Sequence, residues 1–272
     1  MLTSNPYAAI SGSLPEGFMK WYIALMILSV IVGTLWDVIH KGSAKYFFAN
    51  LGKKAPREVS GGEVVAIAIK TGLIDVATSK EFCTQSRRFA HLLTMYGFIL
   101  YLVTTILMVF SYPTAATPAP DLVLTLWWVG ALMVCVGGYW FWFFIRVDVA
   151  AEGGSPFRLM KADLFVLSLI ASNTLALIWA LAGGGVGVIF WLYLLAHTVL
   201  FVGVPWSKFA HMFFKPAAAF EKRISEANGS NENLPFQTRD DPEQQKRHSM
   251  ELLQDAPMDM GLGIKREAPR HY

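Results

Sequence analysis

The sequence has few charged residues and almost no cysteine. Only 16% of its 272 residues are charged and 54% are hydrophobic, whereas about 25% of the residues in soluble domains are charged. The two cysteines, Cys83 and Cys135, form no CxxC pair and cannot hold an iron–sulfur cluster, which is typically bound by four thiolates. The composition therefore predicts an integral membrane protein, and any cluster or flavin chemistry must belong to another subunit.

Basic residues are missing from the start of the chain. No Lys or Arg precedes Lys20, so the beginning lacks the positively charged region of a secretory signal peptide. We therefore expect the first apolar segment to remain in the mature protein. Residues 1–17 would then form a short external segment in front of it.

Five apolar segments are long enough to cross a hydrocarbon core, which takes about 20 helical residues. They cover residues 18–39, 89–110, 122–145, 164–181 and 188–214. Their lengths predict an all-α integral membrane protein, a five-transmembrane-helix bundle contained in residues 18–222.

The basic residues are segregated between the two ends of these segments. Residues 41–88, 146–161 and 208 onwards are rich in Lys and Arg, whereas residues 1–17, 111–121 and 183–187 contain none. Cytoplasmic loops carry such an excess of positive charge. The N-terminus is therefore predicted to lie outside and the C-terminus in the cytoplasm, across the cytoplasmic membrane of a bacterium or archaeon.

Two cytoplasmic pieces differ from the spanning segments. Within the 41–88 loop, residues 63–76 are apolar but too short to cross, which predicts an interfacial helix on the inner leaflet. The tail, residues 223–272, is polar and lacks a sustained apolar period, so we expect much of it to be disordered. Residues 241–255 could fold into a short helix on binding a partner.

The last apolar segment carries two histidines, His197 and His211. On a continuous helix they would lean towards one face, about 21 Å apart along the axis, with a kink at Pro205 between them. Ionisable residues inside membrane helices indicate function, and neutral imidazole is a common haem ligand. The pattern predicts that this helix forms one wall of a haem pocket.

A third histidine, His91, matches His211 in depth. Counted from the outer edge, His91 lies about 30 Å down its helix and His211 about 35 Å down its own. A pair at equal depth on two helices favours a bis-imidazole haem b on the cytoplasmic side. Basic side chains near it could neutralise the haem propionates, or could simply follow the charge rule for inner-leaflet helix ends: Arg87, Arg88 and Lys208.

His197 has no such partner. It lies about 14 Å below the outer edge, where the second helix offers Tyr101 and Thr104 but no histidine. It could hold a second haem only with a ligand that the sequence does not supply at that depth. The alternative is an interhelical hydrogen bond, which is common for a lone histidine in a membrane helix.

Two stretches resemble a known family. RRFAHLLTMYGF, residues 87–98, and PWSKFAHMFFKP, residues 205–216, are similar to segments of the respiratory nitrate reductase gamma-subunit family of cytochromes b. The resemblance covers about residues 18–222. It is closer to the branches containing the membrane anchor of dissimilatory adenylylsulfate reductase and the membrane subunit of the quinone-interacting membrane-bound oxidoreductase complex.

The resemblance implies a haem b electron-transfer subunit of an oxidoreductase complex. Such a subunit anchors a cytoplasmic flavin or iron–sulfur oxidoreductase to the membrane and links it to the quinone pool, here in dissimilatory sulfur metabolism. Its cytoplasmic-side haem ligands correspond to His91 and His211. Its second haem would use His197 and a histidine at the position of Tyr101. The missing iron–sulfur domain favours the stand-alone anchor.

Two other functional classes are compatible with a small helical membrane protein. A haem-free scaffold would only tether a soluble redox complex to the bilayer. A small transporter is disfavoured because the sequence shows neither internal repeats nor interrupted half-helices.

Overall fold

The computed structural model describes residues 4–15, 17–41, 55–79, 82, 84–147, 155–207, 209 and 211–231. Of residues 41, 162, 211 and 213 only the backbone is described. The tail from residue 232, which includes the short helix predicted over residues 241–255, lies outside these ranges. Within these ranges all regular secondary structure is helical, the helices are joined by turns and irregular connections, and there is no strand.

Seven α-helices make up the described part of the chain. Their bounds are α1 Phe18–Lys41, α2 Gly61–Lys70, α3 Gln85–Ser111, α4 Asp121–Trp140, α5 Leu164–Leu181, α6 Val188–Val202 and α7 His211–Ala227. Wider π-type turns continue α2 through Thr71–Ala77 and α4 through Phe141–Ile145.

Four of the helical stretches are long and apolar enough to cross a bilayer: Phe18–His40, Gln85–Ser111, Asp121–Ile145 and Leu164–Leu181. They agree closely with the first four predicted segments. The first four sequence-predicted helices are therefore confirmed, and the architecture is that of a helical, multi-pass membrane protein.

The last apolar segment does not form one helix, and this prediction was wrong. Helix α6 ends at Val202, and its 15 residues reach only about 22 Å. Gly203 caps it, Pro205 lies in a 3-10 turn over Val204–Trp206, and α7 begins at His211. Proline after a glycine stops this helix where we expected a kink. His197 and His211 consequently lie on separate helices and share no helical face.

The chain divides into two compact units. The first comprises Met1–Tyr46 and Thr78–Lys215, and the second comprises Phe47–Ala77 and Pro216–Tyr272. In the first unit each apolar helix packs on its successor, α3 on α4, α4 on α5 and α5 on α6, and α1 closes the ring by packing against α6 and α3. The core of this unit lies inside that ring.

Helices α3 and α4 approach each other at glycine contacts. A Cβ at Gly130 would lie 2.6 Å from the backbone nitrogen of Tyr101, and a Cβ at Gly97 would lie 2.8 Å from the carbonyl oxygen of Gly130. At Gly137 a Cβ would meet Thr94 Oγ1 at 2.5 Å. Small residues allow such close packing between membrane helices. Backbone-to-backbone contact therefore fixes Tyr101 relative to α4.

The segment before α1 folds over one end of the ring, which we call the Tyr7 end. Asn5 Nδ2 donates to the carbonyl oxygen of Tyr112 just after α3, at 2.7 Å. Gly184, in the turn between α5 and α6, lies so close to Pro6 that a Cβ would be 2.8 Å from its carbonyl oxygen. The segment thereby ties two helix connections together and places the Tyr7 side chain inside the bundle, where it is 2% exposed.

A buried ion pair organises the connection between α4 and α5. Arg146, only 1% exposed, donates to Asp163 Oδ2 at 2.6 Å and to the carbonyl oxygens of Arg158, at 2.7 Å, and Ser155. Its guanidinium also lies over the ring of Trp142, 4.3 Å from the centroid. Arg146 therefore links the end of α4 to the residues that precede α5.

The second unit contains α2 and the end of α7. Ser60 caps α2 by accepting a hydrogen bond from the backbone of Glu63, and Arg223 pairs with both carboxylate oxygens of Asp75 at 2.8 and 2.9 Å. A helix occupies residues 63–76 as predicted, and its position on the inner leaflet stays a prediction. Exposed apolar residues recur along it every four positions, at Val65, Ile69 and Leu73.

We predict that Gly130→Ala destabilises the first unit. The added methyl group would overlap the α3 backbone at Tyr101, so the two helices must separate, and overpacking of this kind costs about 1–3 kcal/mol. The free energy of unfolding of the purified protein in detergent measures the effect. Gly62→Ala is the matched control, since its Cβ would meet nothing within 4 Å. Equal stability of the two variants would contradict the packing described.

We predict that Arg146→Met also lowers stability, because it leaves Asp163 buried without its cation. Removing one member of a buried pair typically costs about 3–5 kcal/mol. Denaturant titration in detergent provides the measurement. Arg57→Met breaks the exposed pair with Glu63, whose side chains are 61% and 31% exposed, and should cost no more than about 1 kcal/mol.

Candidate functional site

His91 lies in the second turn of α3 and is held by a preceding loop. Its Nδ1 is 3.0 Å from Ser79 Oγ, and its ring centroid is 4.7 Å from that of Phe82. Ser79 is 2% exposed and has a φ of 48°, a left-handed conformation that non-glycine residues seldom adopt. Such strain is typical of functional positions. The loop backbone is thus arranged to present a hydroxyl to one nitrogen of this imidazole.

Both predicted arginines contact the same loop. Arg88 Nε donates to the carbonyl oxygen of Thr78 at 2.8 Å, and the Arg87 guanidinium lies 5.8 Å from the Phe82 ring centroid. Lys215 Nζ approaches the same ring at 5.3 Å. Three cationic side chains therefore gather around the segment that holds His91.

The predicted partners of His91 fall at the edge of what the structure describes. His211 is the first residue of α7, but its side chain is outside the described residues, as is the whole of Lys208. The pairing of His91 with His211 accordingly stays a prediction.

The described surroundings of His91 fit a haem ligand. A ligating histidine almost always hydrogen-bonds through its other ring nitrogen, which fixes the ring orientation and the tautomer. Ser79 provides that contact at Nδ1, and basic side chains suitable for propionates lie in the same region. No cluster of three or more His, Cys, Asp or Glu suited to a bare metal ion occurs among the described side chains.

His197 is buried in a different part of the first unit, 6% exposed, on α6. Its Nδ1 lies 3.1 Å from the carbonyl oxygen of Tyr193, and its Nε2 lies 3.4 Å from the hydroxyl of Tyr101 on α3. The depth match between His197 and Tyr101 counted from the sequence is confirmed by this contact. Because a carbonyl oxygen only accepts, Nδ1 carries a proton, and Nε2 faces the Tyr101 oxygen.

A chain of hydroxyl groups continues from this contact towards the Tyr7 end. The Tyr101 hydroxyl donates to that of Tyr193 at 3.1 Å, and the Tyr193 and Tyr7 hydroxyls are 2.6 Å apart. Tyr7 also lies 3.5 Å from Thr105 Oγ1, which accepts from Trp127 Nε1 at 2.9 Å. All of these side chains are buried. Burial in apolar surroundings raises the pKa of the Tyr7 phenol above its ordinary value, so Tyr7 stays protonated.

The contacts of His197 do not fit a second haem. An axial imidazole must direct its Nε2 lone pair at the iron, with the flat macrocycle against it. Here the Tyr101 oxygen lies in that direction, and the Tyr193 ring is only 4.3 Å from the imidazole, centroid to centroid. Both ring nitrogens already face protein oxygen atoms.

The chain matches the family model of citrate utilization protein B over residues 6–231. It belongs to that family. The match begins just before Tyr7 and ends after α7, so it contains both histidine sites and leaves out most of the polar tail. No curated protein and no solved structure matches the chain.

The family that matches differs from the one that the two motifs resemble. Nothing in the comparisons names the nitrate reductase gamma subunit or the adenylylsulfate reductase anchor. For this member of the citrate utilization protein B family, the resemblance over residues 87–98 and 205–216 therefore remains an observation on the sequence alone.

Two residues of the His197 cluster were missed by sequence reasoning. Tyr193 could have been found, since it precedes His197 by one helical turn and must lie on the same face. Tyr7 could not, because a single tyrosine in a short irregular segment carries no periodic signal.

Proposed function

We propose that the protein is a membrane-anchoring haem b electron-transfer subunit. It would link the quinone pool to a cytoplasmic flavin or iron–sulfur oxidoreductase docked on its basic side. The observation that carries this proposal is the hydrogen bond between His91 Nδ1 and the hydroxyl of the strained Ser79, at the start of an apolar spanning helix. A structural histidine at a membrane interface has no need of such orientation, whereas a ligand does.

The proposed topology has five crossings, with the N-terminus outside and the C-terminus in the cytoplasm. Helix α6 would supply the fifth crossing, extended beyond Val202 by the 3-10 turn and the residues before His211. The segregation of Lys and Arg supports the orientation. On this topology the Tyr7 end is the outer face, and His91 lies near the inner face of a bacterial or archaeal cytoplasmic membrane.

Each residue of the proposed haem site has a separate task. His91 and His211 would bind the iron, and the haem would supply one-electron oxidation and reduction when bound. Ser79 orients His91 through the contact with Nδ1. Arg87, Arg88 and Lys208 would offer cations to the propionate groups at the membrane surface. The protein performs no bond chemistry of its own apart from any quinone redox step.

The family supports a particular metabolic setting. Because the chain belongs to the citrate utilization protein B family, we propose that its soluble partner is an oxidoreductase of citrate utilization. The sulfur-metabolism setting rested on the motif resemblance and receives no support from the matching family.

We predict that His91→Ala and His211→Ala each abolish a b-type α-band in the reduced-minus-oxidised spectrum, because each removes an axial ligand. His197→Gln should retain the band, and haem quantification should give one haem per chain. If the wild-type protein has no α-band, the haem-free scaffold is correct. Retained spectra in both alanine variants would reject the pairing, and a ratio of two haems would show that His197 is a ligand.

We predict that Ser79→Ala weakens haem retention, because His91 loses the partner that orients it. Second-shell changes of this kind typically cost about 10–100-fold in affinity. Haem loss to apomyoglobin, followed spectroscopically, measures the effect. Ser168→Ala is a suitable control: Ser168 bonds only carbonyl oxygens of its own helix. Equal rates of loss from the two variants would remove Ser79 from the site.

A further inference from the structure

The haem proposal makes no use of His197, Tyr101, Tyr193 or Tyr7. These four side chains come from α3, α6 and the N-terminal segment, and they form one continuous hydrogen-bonded series inside the bundle. A series of hydroxyl groups ending at an imidazole has the chemistry of a proton pathway: each hydroxyl can accept one proton and release another.

The series has one end that leads outwards. Tyr7 belongs to the segment that covers the Tyr7 end of the bundle, and together with Ser11 and Pro15 it lines a cavity of about 20 Å³. A space of roughly 10–15 Å³ is enough for one water molecule. The cavity therefore has room for one water molecule beside the Tyr7 side chain.

The opposite end is closed around His197. Nδ1 faces the Tyr193 carbonyl oxygen, and on the far side of the imidazole Phe201 lies 6.0 Å away, centroid to centroid. Among the described residues, no charged side chain contacts the ring; the titratable groups that face it are the phenols of Tyr101 and Tyr193, with Tyr7 beyond them. Among the described residues, the hydroxyl that faces Nε2 is that of Tyr101.

We propose that His197 is the terminal proton acceptor of a relay formed by Tyr101, Tyr193 and Tyr7, and that it exchanges its proton with the Tyr7 end of the bundle. The role replaces haem ligation for this histidine. No step of the relay itself needs a bound cofactor.

Proton release from His197 follows the orientation of the hydroxyl groups. The Nε2–H bond breaks as an O–H bond forms at Tyr101, whose own proton passes to Tyr193. The Tyr193 proton passes to Tyr7, and the Tyr7 proton leaves to water. One proton leaves the series for each one released by His197, and the three hydroxyl groups are then oriented towards His197. Loading of His197 runs through the same bonds in reverse.

The purpose that the relay would serve rests on the proposed function, whereas the relay itself does not. On the proposed topology the Tyr7 end is the outer face, so His197 would exchange its proton with that side of the membrane. A haem-free protein would still contain the relay. The two proposals can therefore fail separately.

An infrared pH-jump experiment on the full-length protein in nanodiscs tests the relay. The protein carries ¹⁵N-labelled histidine, and subtraction of the His197→Gln response isolates the imidazole bands of His197. In the wild type these bands should change after the jump. Tyr193→Phe and Tyr7→Phe each remove one hydroxyl while keeping the ring, and each should slow the change by roughly a hundredfold, the lower range for positioned proton-transfer groups.

Tyr22→Phe is the matched control. Tyr22 is half-buried, and its hydroxyl contacts α6: it donates to the carbonyl oxygen of Leu194 at 2.9 Å and lies 3.0 Å from Thr198 Oγ1. It is not part of the series. It should leave the rate unchanged. If Tyr193→Phe does not fold, Tyr101→Phe interrupts the same pathway one position nearer to His197.

Three results would overturn the relay. One is a His197 signal that does not respond to pH, and another is an unchanged rate in both Tyr193→Phe and Tyr7→Phe. The third is equal slowing by Tyr22→Phe, which would show a general effect of losing a buried hydroxyl. None of these results depends on the α-band, so a protein without haem but with slowed variants would retain the relay and lose the electron-transfer proposal.

Discussion

The contact between the backbones of α3 and α4 determines much of the first unit. Gly97 and Gly130 let the two helices touch where any side chain would force them apart. Tyr101 lies at this contact, so its position depends on it. Because a bilayer contains no water, the Tyr101 hydroxyl must find its hydrogen-bond partners inside the protein. The contact places its hydroxyl within reach of α6, and the buried series from His197 to Tyr7 follows from that placement.

The two histidine sites illustrate two ways of holding an imidazole. His91 is oriented by a side-chain hydroxyl on a strained loop, next to cationic groups. His197 is oriented by a carbonyl oxygen of its own helix and is enclosed by aromatic rings. Orientation of one ring nitrogen by a neighbouring hydroxyl suits a ligand, whereas contact of both nitrogens with protein oxygen atoms suits a group that exchanges protons. The same residue type thus receives two different roles from its surroundings.

The sequence predicted the long helices because their apolar runs satisfy a length requirement that the bilayer imposes. It also predicted the depth at which Tyr101 meets His197, since helical rise converts residue number into distance. The prediction of one helix over residues 188–214 failed, because apolar composition there competes with residues that end a helix. The apolar composition continues past Gly203 and Pro205, but the helix does not. Tyr7 and Ser79 escaped notice because their positions are set by irregular backbone, for which composition and periodicity give no information.

The end of α6 at Val202 also changes how the chain tolerates insertions and deletions. In a continuous helix each added residue rotates everything beyond it by about 100°, so His197 and His211 would have to keep a fixed spacing to preserve both sites. Because α6 ends at Val202 and a 3-10 turn follows it, the rotational phase of α7 is not set by that of α6. An insertion or deletion just after Val202 would therefore leave His197 in its own environment without a fixed helical spacing to His211.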